Sequence, residues 1–245
     1  MRQKLKGFDF SPTFIHSYLV MGVLTITLMM VLSACAPYKV VTIPEATAIA
    51  GGGVFDPKVY AANRWPGIVS TIVDEGTEIS TVLGAIQADS SGVTTKDNLK
   101  DVADQYGVTT EGESYVFKVK GKGKVVGADT EARYITVELT PDGYNGPIKV
   151  KLYTGPRIPS AETAVRDISG ITFDDSDFKD QTEFGKAGRE INKLVLEGLK
   201  DIDPASLQGQ EVSFAGAFSI PTFNKPPAID VSEVIIVPIQ LEVGG

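Results

Sequence analysis

A long loop at residues 155–181 carries polar side chains whose types and spacing suit a ligand that is rich in hydroxyl groups. A hydroxyl, a guanidinium and a carboxylate that lie close together in the chain both donate and accept hydrogen bonds. A phenylalanine nearby can stack on such a ligand, and loops on a rigid scaffold often bind ligands. The candidate ligand-binding residues are therefore Thr163, Arg166, Asp167, Phe178 and Gln181.

The same loop permits a purely structural interpretation. Arg166 and Asp167 would then form a surface ion pair, and Phe173 and Phe178 would fill the mouth of the fold. The sequence leaves both interpretations open.

An acidic cluster in this loop raises the question of a calcium site. Carboxylates at alternate positions suit Ca²⁺, but the glycine and the terminal glutamate of an EF-hand loop are missing. The last aspartate has a second explanation, because its side chain would cap the helix that begins next. We therefore predict no metal ion and no other cofactor. The four aspartates are Asp174, Asp175, Asp177 and Asp180.

Composition excludes several catalytic chemistries. The only histidine is His16 and the only cysteine is Cys35. The chain beyond Cys35 therefore lacks the side chains of a Ser-His-Asp site, a Cys-His site or a histidine or thiolate zinc site. A hydrolase that uses carboxylates, such as Asp177 and Glu183, stays open as an alternative. The sequence favours a protein that is not an enzyme.

The cysteine has a chemistry of its own. A basic start precedes the charge-free apolar residues 18–32, which are too short for a comfortable membrane span but typical of an export signal. The residues Leu-Ser-Ala-Cys at 32–35 resemble a bacterial lipobox. We therefore predict cleavage between Ala34 and Cys35 and attachment of lipid to the thiol of Cys35. The alternatives are a buried free cysteine and an uncleaved signal anchor.

Lipid on Cys35 would anchor the protein to a membrane. Each buried methylene contributes about 0.8 kcal/mol, so two or three acyl chains make the attachment durable. We predict a signal peptide at 1–34 and a lipidated, flexible tether at 35–54, outside the cytoplasm. The residue after the cysteine, Ala36, is not aspartate, which favours the outer membrane over the inner one in a bacterium that has two.

Acidity limits the possible partners. The chain has 23 basic and 31 acidic side chains. Removal of residues 1–34 takes away three basic residues and one acidic residue, which leaves 20 and 30 and a net charge of −10. Nucleic acid attracts clusters of lysine and arginine, so we predict no nucleic-acid partner.

Residues 55–112 have the start and end signals and the hydrophobic periodicity of helices. Asp56 and Pro57 mark a helix start, and Pro66 marks a second start. Gly107 follows an apolar stripe, as expected for the residue just past a helix end. We predict a small helical layer that packs on the C-terminal part of the chain.

From residue 113 the apolar residues recur at every second position, which is the pattern of β-strands. Phe117 and Val119 alternate with a row of lysines that is either a solvated face or an anion site, and glycines in this strand predict a bend. Two more alternating strands, a helix capped by Asp180 and two final strands come next. In the last strand, Ile235 and its alternate neighbours would face inward and Pro238 outward.

Three strands, a helix and two strands is the element order of an OB-fold. The predicted fold class is α+β, with the helical layer at 55–112 followed at 113–245 by an OB-fold-like five-stranded β-barrel. Its helix lies between strands three and four. The alternative is an antiparallel sheet with helices on one face.

Several segments, in this order, resemble those of a known family. They are the lipobox, VFKVKGKGKVVGAD, the block from GPRIPSAETAVRDISG to GREIN, and GQEVSFAGAF followed by VPIQLEV. The chain resembles domain-of-unknown-function family 2291, a group of predicted periplasmic lipoproteins, from about residue 55 to residue 243. The resemblance implies a role beside a sugar ABC transporter and no assigned activity. The segment RIPSAE at 157–162 departs from the family pattern, which weakens the case for ligand contacts there.

Two functions from different classes therefore stand. The first is a non-enzymatic, lipid-anchored accessory protein whose partners would be sugar ABC-transporter components or a solute-binding protein. The second is a small-ligand binder, for sugar-like molecules, that uses the loop at 155–181.

Overall fold

The structure is a computed structural model that describes residues 55–110, 113–173 and 177–244. These residues belong to one compact unit. The predicted export signal, Ala34, Cys35 and the tether lie outside the described residues, as do Asp174 and Asp175. No helix among the described residues is both long enough and apolar enough to cross a membrane.

Helices and strands alternate along the first half of the described chain, and strands dominate the second half. The helices are α1 (Pro57–Glu75), α2 (Ile79–Ala85), α3 (Lys96–Tyr106), α4 (Ala164–Asp167) and α5 (Gln181–Leu199), with a 3₁₀ turn at Pro204–Leu207. The strands are β1 (Thr77–Glu78), β2 (Val93–Thr95), β3 (Gly107–Thr109), β4 (Ser114–Asp129), β5 (Ile135–Pro141), β6 (Lys149–Gly155), β7 (Glu211–Pro221), β8 (Ala228–Asp230) and β9 (Glu233–Val243).

Helix α1 begins where the sequence predicts. The Asp56 side chain accepts hydrogen bonds from the amides of Lys58 and Val59, at 2.9 and 3.1 Å. The predicted second start at Pro66 is wrong, because α1 runs through it as one helix. Residues on both sides of Pro66 are buried against the core, so packing offsets the backbone hydrogen bond that proline cannot make.

The strand pairings agree with the predicted OB-fold order. Strand β4 pairs with β5 and with β7, β5 pairs with β6, and β6 pairs in parallel with β9. Strand β9 pairs with β7, so the order of pairings returns to β4. Helix α5 lies between the third and fourth of these strands, as predicted. Short strands that the sequence did not predict extend this sheet, and β2 and β8 pair separately.

Strand β4 has the predicted faces. Phe117, Val119 and Val125 are fully buried, and the lysines between them lie on the outer side. The register with β5 shifts between Val125 and Gly127, which is the irregularity that the glycines predicted. Gly121 allows a close approach, because a Cβ there would lie 2.8 Å from Cγ2 of Ile79 in α2.

The predicted faces of the last strand are wrong, whereas α3 ends directly before Gly107 as predicted. In β9, Val234 and Ile236 are buried together with side chains of α2 and α3. Ile235 packs instead with side chains of α1 and α5, and Pro238 is buried. Both faces of β9 are covered, so alternation does not reveal which one is inside. Gly107 is the C-cap of α3, has φ −147° and begins β3 directly.

The apolar side chains form two clusters. The interior cluster consists of side chains from the paired strands together with residues of α2 and α3, such as Leu83 and Leu99. The second cluster packs α1, α4 and α5 against the outer side of β4, β7 and β9. The second cluster holds the loop at 155–181 in place.

Candidate functional site

The predicted ligand-binding residues in α4 contact one another. The Thr163 hydroxyl donates to Oδ2 of Asp167 at 2.6 Å. Nε and Nη2 of Arg166 both contact Oδ1 of Asp167, at 2.7 and 2.6 Å. The side chains of Arg166 and Asp167 are only 11% and 13% exposed, so the pair is largely buried and both carboxylate oxygens accept hydrogen bonds from the chain itself.

Helix α5 completes the environment of this pair. The guanidinium carbon of Arg166 lies 3.7 Å from the centre of the Phe184 ring. The guanidinium also packs on α5 at Gly188, where a Cβ would lie at an ordinary contact distance of 3.4 Å from Nη1 of Arg166. Such a stacked cation stabilises the contact between two elements. The arrangement ties α4 to α5.

Glu162 and Asn192 belong to the same cluster, although the sequence predicted a site role for neither. Nδ2 of Asn192 donates to the backbone oxygen of Glu162 at 2.8 Å, and Oε1 of Glu162 accepts from the Ala164 amide at 3.0 Å. Burial raises the pKa of Glu162, with a smaller contribution from Asp167. Burial, together with the charge of Glu162, raises the pKa of Tyr153 to about 12. The cluster therefore holds a carboxyl group that is costly to ionise.

Phe178 is 9% exposed and forms part of an aromatic cluster rather than a ligand platform. Its ring centre lies 5.5 Å from that of Phe55, 5.0 Å from that of Tyr60 and 5.2 Å from that of Phe184. Gln181 is exposed at the first residue of α5 and takes no part in these contacts. Of the five candidates, Thr163, Arg166 and Asp167 meet in one place.

The described aspartates of the acidic cluster have structural partners. Asp177 forms an ion pair with Arg64 of α1 at 2.7 Å. Asp180 caps α5, because its Oδ1 accepts from the amides of Thr182 and Glu183, each at 2.9 Å. Among the described residues, no group of three histidine, cysteine, aspartate or glutamate side chains could hold a metal ion.

The loop between β7 and β8 is a second feature that the sequence did not predict. The Thr222 amide and hydroxyl both donate to the backbone oxygen of Glu113, the amide at 3.0 Å. At the other end, the Lys96 amide donates to the Pro227 oxygen at 2.9 Å, and Nζ of Lys96 contacts the Glu113 carboxylate at 2.6 Å. Between these ends, Phe223 is 63% exposed.

A family model described as "Predicted periplasmic lipoprotein (DUF2291)" matches residues 25–242. Among solved structures, the chain is similar to an OB-fold protein of Thermotoga maritima, with a TM-score of 0.52 and 19% sequence identity. That alignment covers 78% of this chain and 99% of the other, and it supports the fold alone. No curated protein matches the chain.

Proposed function

The chain belongs to the family of predicted periplasmic lipoproteins, and from that premise we propose that it is a non-enzymatic accessory protein that recognises a protein partner through the loop between β7 and β8. Membrane anchoring outside the cytoplasm follows from the family. Attachment through lipid on Cys35, and sorting to the outer membrane on account of Ala36, are part of the proposal.

The exposed ring of Phe223 carries this proposal. Large aromatic side chains are enriched among the residues that dominate protein interfaces, and a soluble protein usually buries most of such a ring. Among the described residues, Phe223 is the most exposed of the large apolar side chains, ahead of Val126 and Val243.

The backbone of the loop that carries Phe223 is held at both ends. Thr222 and Pro227 are hydrogen-bonded at the two ends of the loop, and two consecutive prolines restrict its backbone. A loop whose backbone is restrained before binding loses less conformational entropy when a partner covers it. Lys225, two residues farther along the loop, adds a positive charge.

The non-enzymatic part of the proposal is supported by the carboxylates that a hydrolase would use. Asp177 is paired with Arg64, and Glu183 accepts a hydrogen bond from the Lys179 amide at 2.8 Å. Both carboxylates therefore have local structural roles. The sugar-like ligand site at 155–181 is a weaker candidate, since its polar groups satisfy one another.

The partner that we propose is a component of a sugar ABC transporter or its solute-binding protein, on the basis of the family resemblance. The test is to purify the lipid-anchored protein from its native membranes after crosslinking and to identify the captured proteins by mass spectrometry. We expect transporter components with the wild type and a loss of about 30-fold with Phe223→Ala, the effect of an interface hot spot of about 2 kcal/mol.

The control is Val126→Ala, which shortens another exposed apolar side chain (47%) on β4. It should capture the partner as the wild type does. Capture of non-transport proteins in a Phe223-dependent manner would retain the interaction role and remove the transport link. Capture that Phe223→Ala leaves unchanged would contradict the proposed surface.

A further inference from the structure

A cleft of about 400 Å³ lies on the outer surface of β4, β7 and β9, next to the end of α1. Its volume falls within the roughly 300–1,000 Å³ of small-molecule sites. None of the predicted site residues lines it. Its lining combines apolar surface with polar and charged side chains and includes Lys120, Lys122, Ser213, Ala215, Gln240 and Glu242.

The strand registers explain the shape of the cleft. Across β4 and β7, Lys122 pairs with Ser213 and Lys120 pairs with Ala215. Across β7 and β9, the same two small residues pair with Glu242 and Gln240. Side chains stand roughly perpendicular to a sheet. Short side chains on the middle strand therefore form the floor, and long side chains on the two outer strands form the walls.

The cleft presents charges of both signs: Lys120 and Lys122 lie on the β4 wall, with Glu78 of β1 paired to Lys120 and the Asp142 amide bonded to the Lys122 oxygen, and Glu242 lies on the β9 wall. On the β4 wall, Nζ of Lys120 donates to the backbone oxygen of Val73 at 3.4 Å, which leaves other ammonium hydrogens for a ligand. Lys122 makes no ion pair with any residue that the structure describes. On the β9 wall, the exposed Glu242 carboxylate is likewise without an ion-pair partner in the described segments.

The distance between the walls limits the ligand. Two strand spacings separate β4 from β9, which is about 10 Å. A ligand that contacts both outer strands is therefore small, because their backbones lie only about 10 Å apart. A single amino acid carries an ammonium and a carboxylate close together, whereas the termini of a dipeptide lie farther apart.

We propose that the cleft binds a small zwitterion, namely a free amino acid or a close analogue. Its carboxylate lies between the ammonium groups of Lys120 and Lys122, and its ammonium group faces Glu242 and the amide oxygen of Gln240. Glu78 and Asp142 also line the cleft. With them the lining carries two positive and three negative charges, which disfavours a simple anion.

This site is separate from the proposed partner surface. Ser213 and Ala215 lie near the start of β7, whereas Phe223 follows the end of the same strand. The proposal therefore does not rest on the proposed function, and either can fail without the other.

The test is isothermal titration calorimetry on the full lipidated protein in detergent. The probes are each of the common amino acids and glycine betaine, with glucose as a neutral polyol and acetate as an anion. We expect at least one zwitterion to bind, and to bind about tenfold more weakly to Lys122→Gln and to Glu242→Gln, because each change removes a charge-assisted hydrogen bond.

Matched controls lie one row farther along the same surface. Lys124 and Glu211 are paired across β4 and β7 beyond the cleft, and Lys124→Gln and Glu211→Gln should leave the affinity unchanged. The proposal is overturned if no zwitterion binds, if glucose or acetate binds as well as the best zwitterion, or if cleft and control variants lose affinity equally.

Discussion

Arg166 and Phe184 form a stacked pair in which the guanidinium carbon lies 3.7 Å from the ring centre. The two residues belong to different helices, and the same guanidinium contacts the Asp167 carboxylate. A residue that looks like a ligand-binding arginine in the sequence therefore stabilises the packing of α4 on α5.

We expect Arg166→Met to lower the free energy of unfolding by about 3 kcal/mol, because it leaves the buried Asp167 carboxylate without its cation. Urea denaturation measures this change. Adding Asp167→Asn to the variant should recover part of the loss.

The control is Arg64→Met, which removes the cation of a more exposed ion pair with Asp177. That change should cost no more than about 0.5 kcal/mol. Equal losses in the Arg166 and Arg64 variants would show that the α4 pair has no special role.

Asp180 predicts a pH-dependent contribution of the α5 cap. Its hydrogen bonds from the amides of Glu183 and Thr182 lower the pKa of its carboxyl group. The stabilisation is then present above the ordinary aspartate pKa of about 3.9 and is lost as the pH falls through the folded-state pKa. The difference in urea midpoint between wild type and Asp180→Ala should therefore shrink at low pH.

Asn at position 180 provides the control for this prediction. Asparagine also caps helices but does not titrate, so Asp180→Asn should retain most of the cap at neutral pH. A difference between wild type and Asp180→Ala that persists unchanged into strong acid would contradict the assignment.

For Glu162, we expect the opposite dependence of stability on pH. Burial raises the pKa of its carboxyl group, so ionisation costs folding energy as the pH rises from about 4.3 through the folded-state pKa. Glu162→Gln keeps an oxygen for the Ala164 amide and removes that cost. Its stability relative to wild type should rise with pH across this interval in denaturation experiments.

An exposed glutamate provides the comparison for Glu162. Glu131 lies on the surface between β4 and β5, and Glu131→Gln should show no such trend. A flat difference for Glu162→Gln would mean that the carboxyl is solvated in solution.

Gly121→Ala tests the close approach of α2 to β4. The added methyl group would lie 2.8 Å from Cγ2 of Ile79, so the Ile79 side chain or α2 must shift, and we expect a loss of about 1–3 kcal/mol in the free energy of unfolding. In the same strand, Gly127→Ala meets only Cβ of Glu138 at 3.8 Å and should cost less. Equal losses would remove the steric explanation.

Local signals predicted much of the fold. The caps at Asp56 and Asp180 and the alternation in β4 depend on residues that are neighbours in the sequence, and the structure confirms them. Pro66 and the faces of β9 depend on what packs against them from distant parts of the chain. Sequence periodicity does not indicate which distant side chains pack against a given helix or strand.

The candidate site illustrates the same limit. Thr163, Arg166 and Asp167 do meet, as their spacing suggested, but their polar groups bond to one another and Phe184 of α5 covers the guanidinium. Nothing in the sequence indicated the loop that carries Phe223. The hydrogen bond at the base of this loop joins Thr222 to Glu113, which are 109 residues apart.

The two apolar clusters have a consequence for how the molecule opens. Strand β7 contributes buried side chains to both clusters, Phe214 and Phe218 to one and Ala215 and Ala217 to the other, and it has a paired strand at each edge. Its amide protons should exchange with deuterium more slowly than those of any edge strand. Strand β7 should therefore remain folded in partially unfolded states, so exchange of its amide protons reports global unfolding.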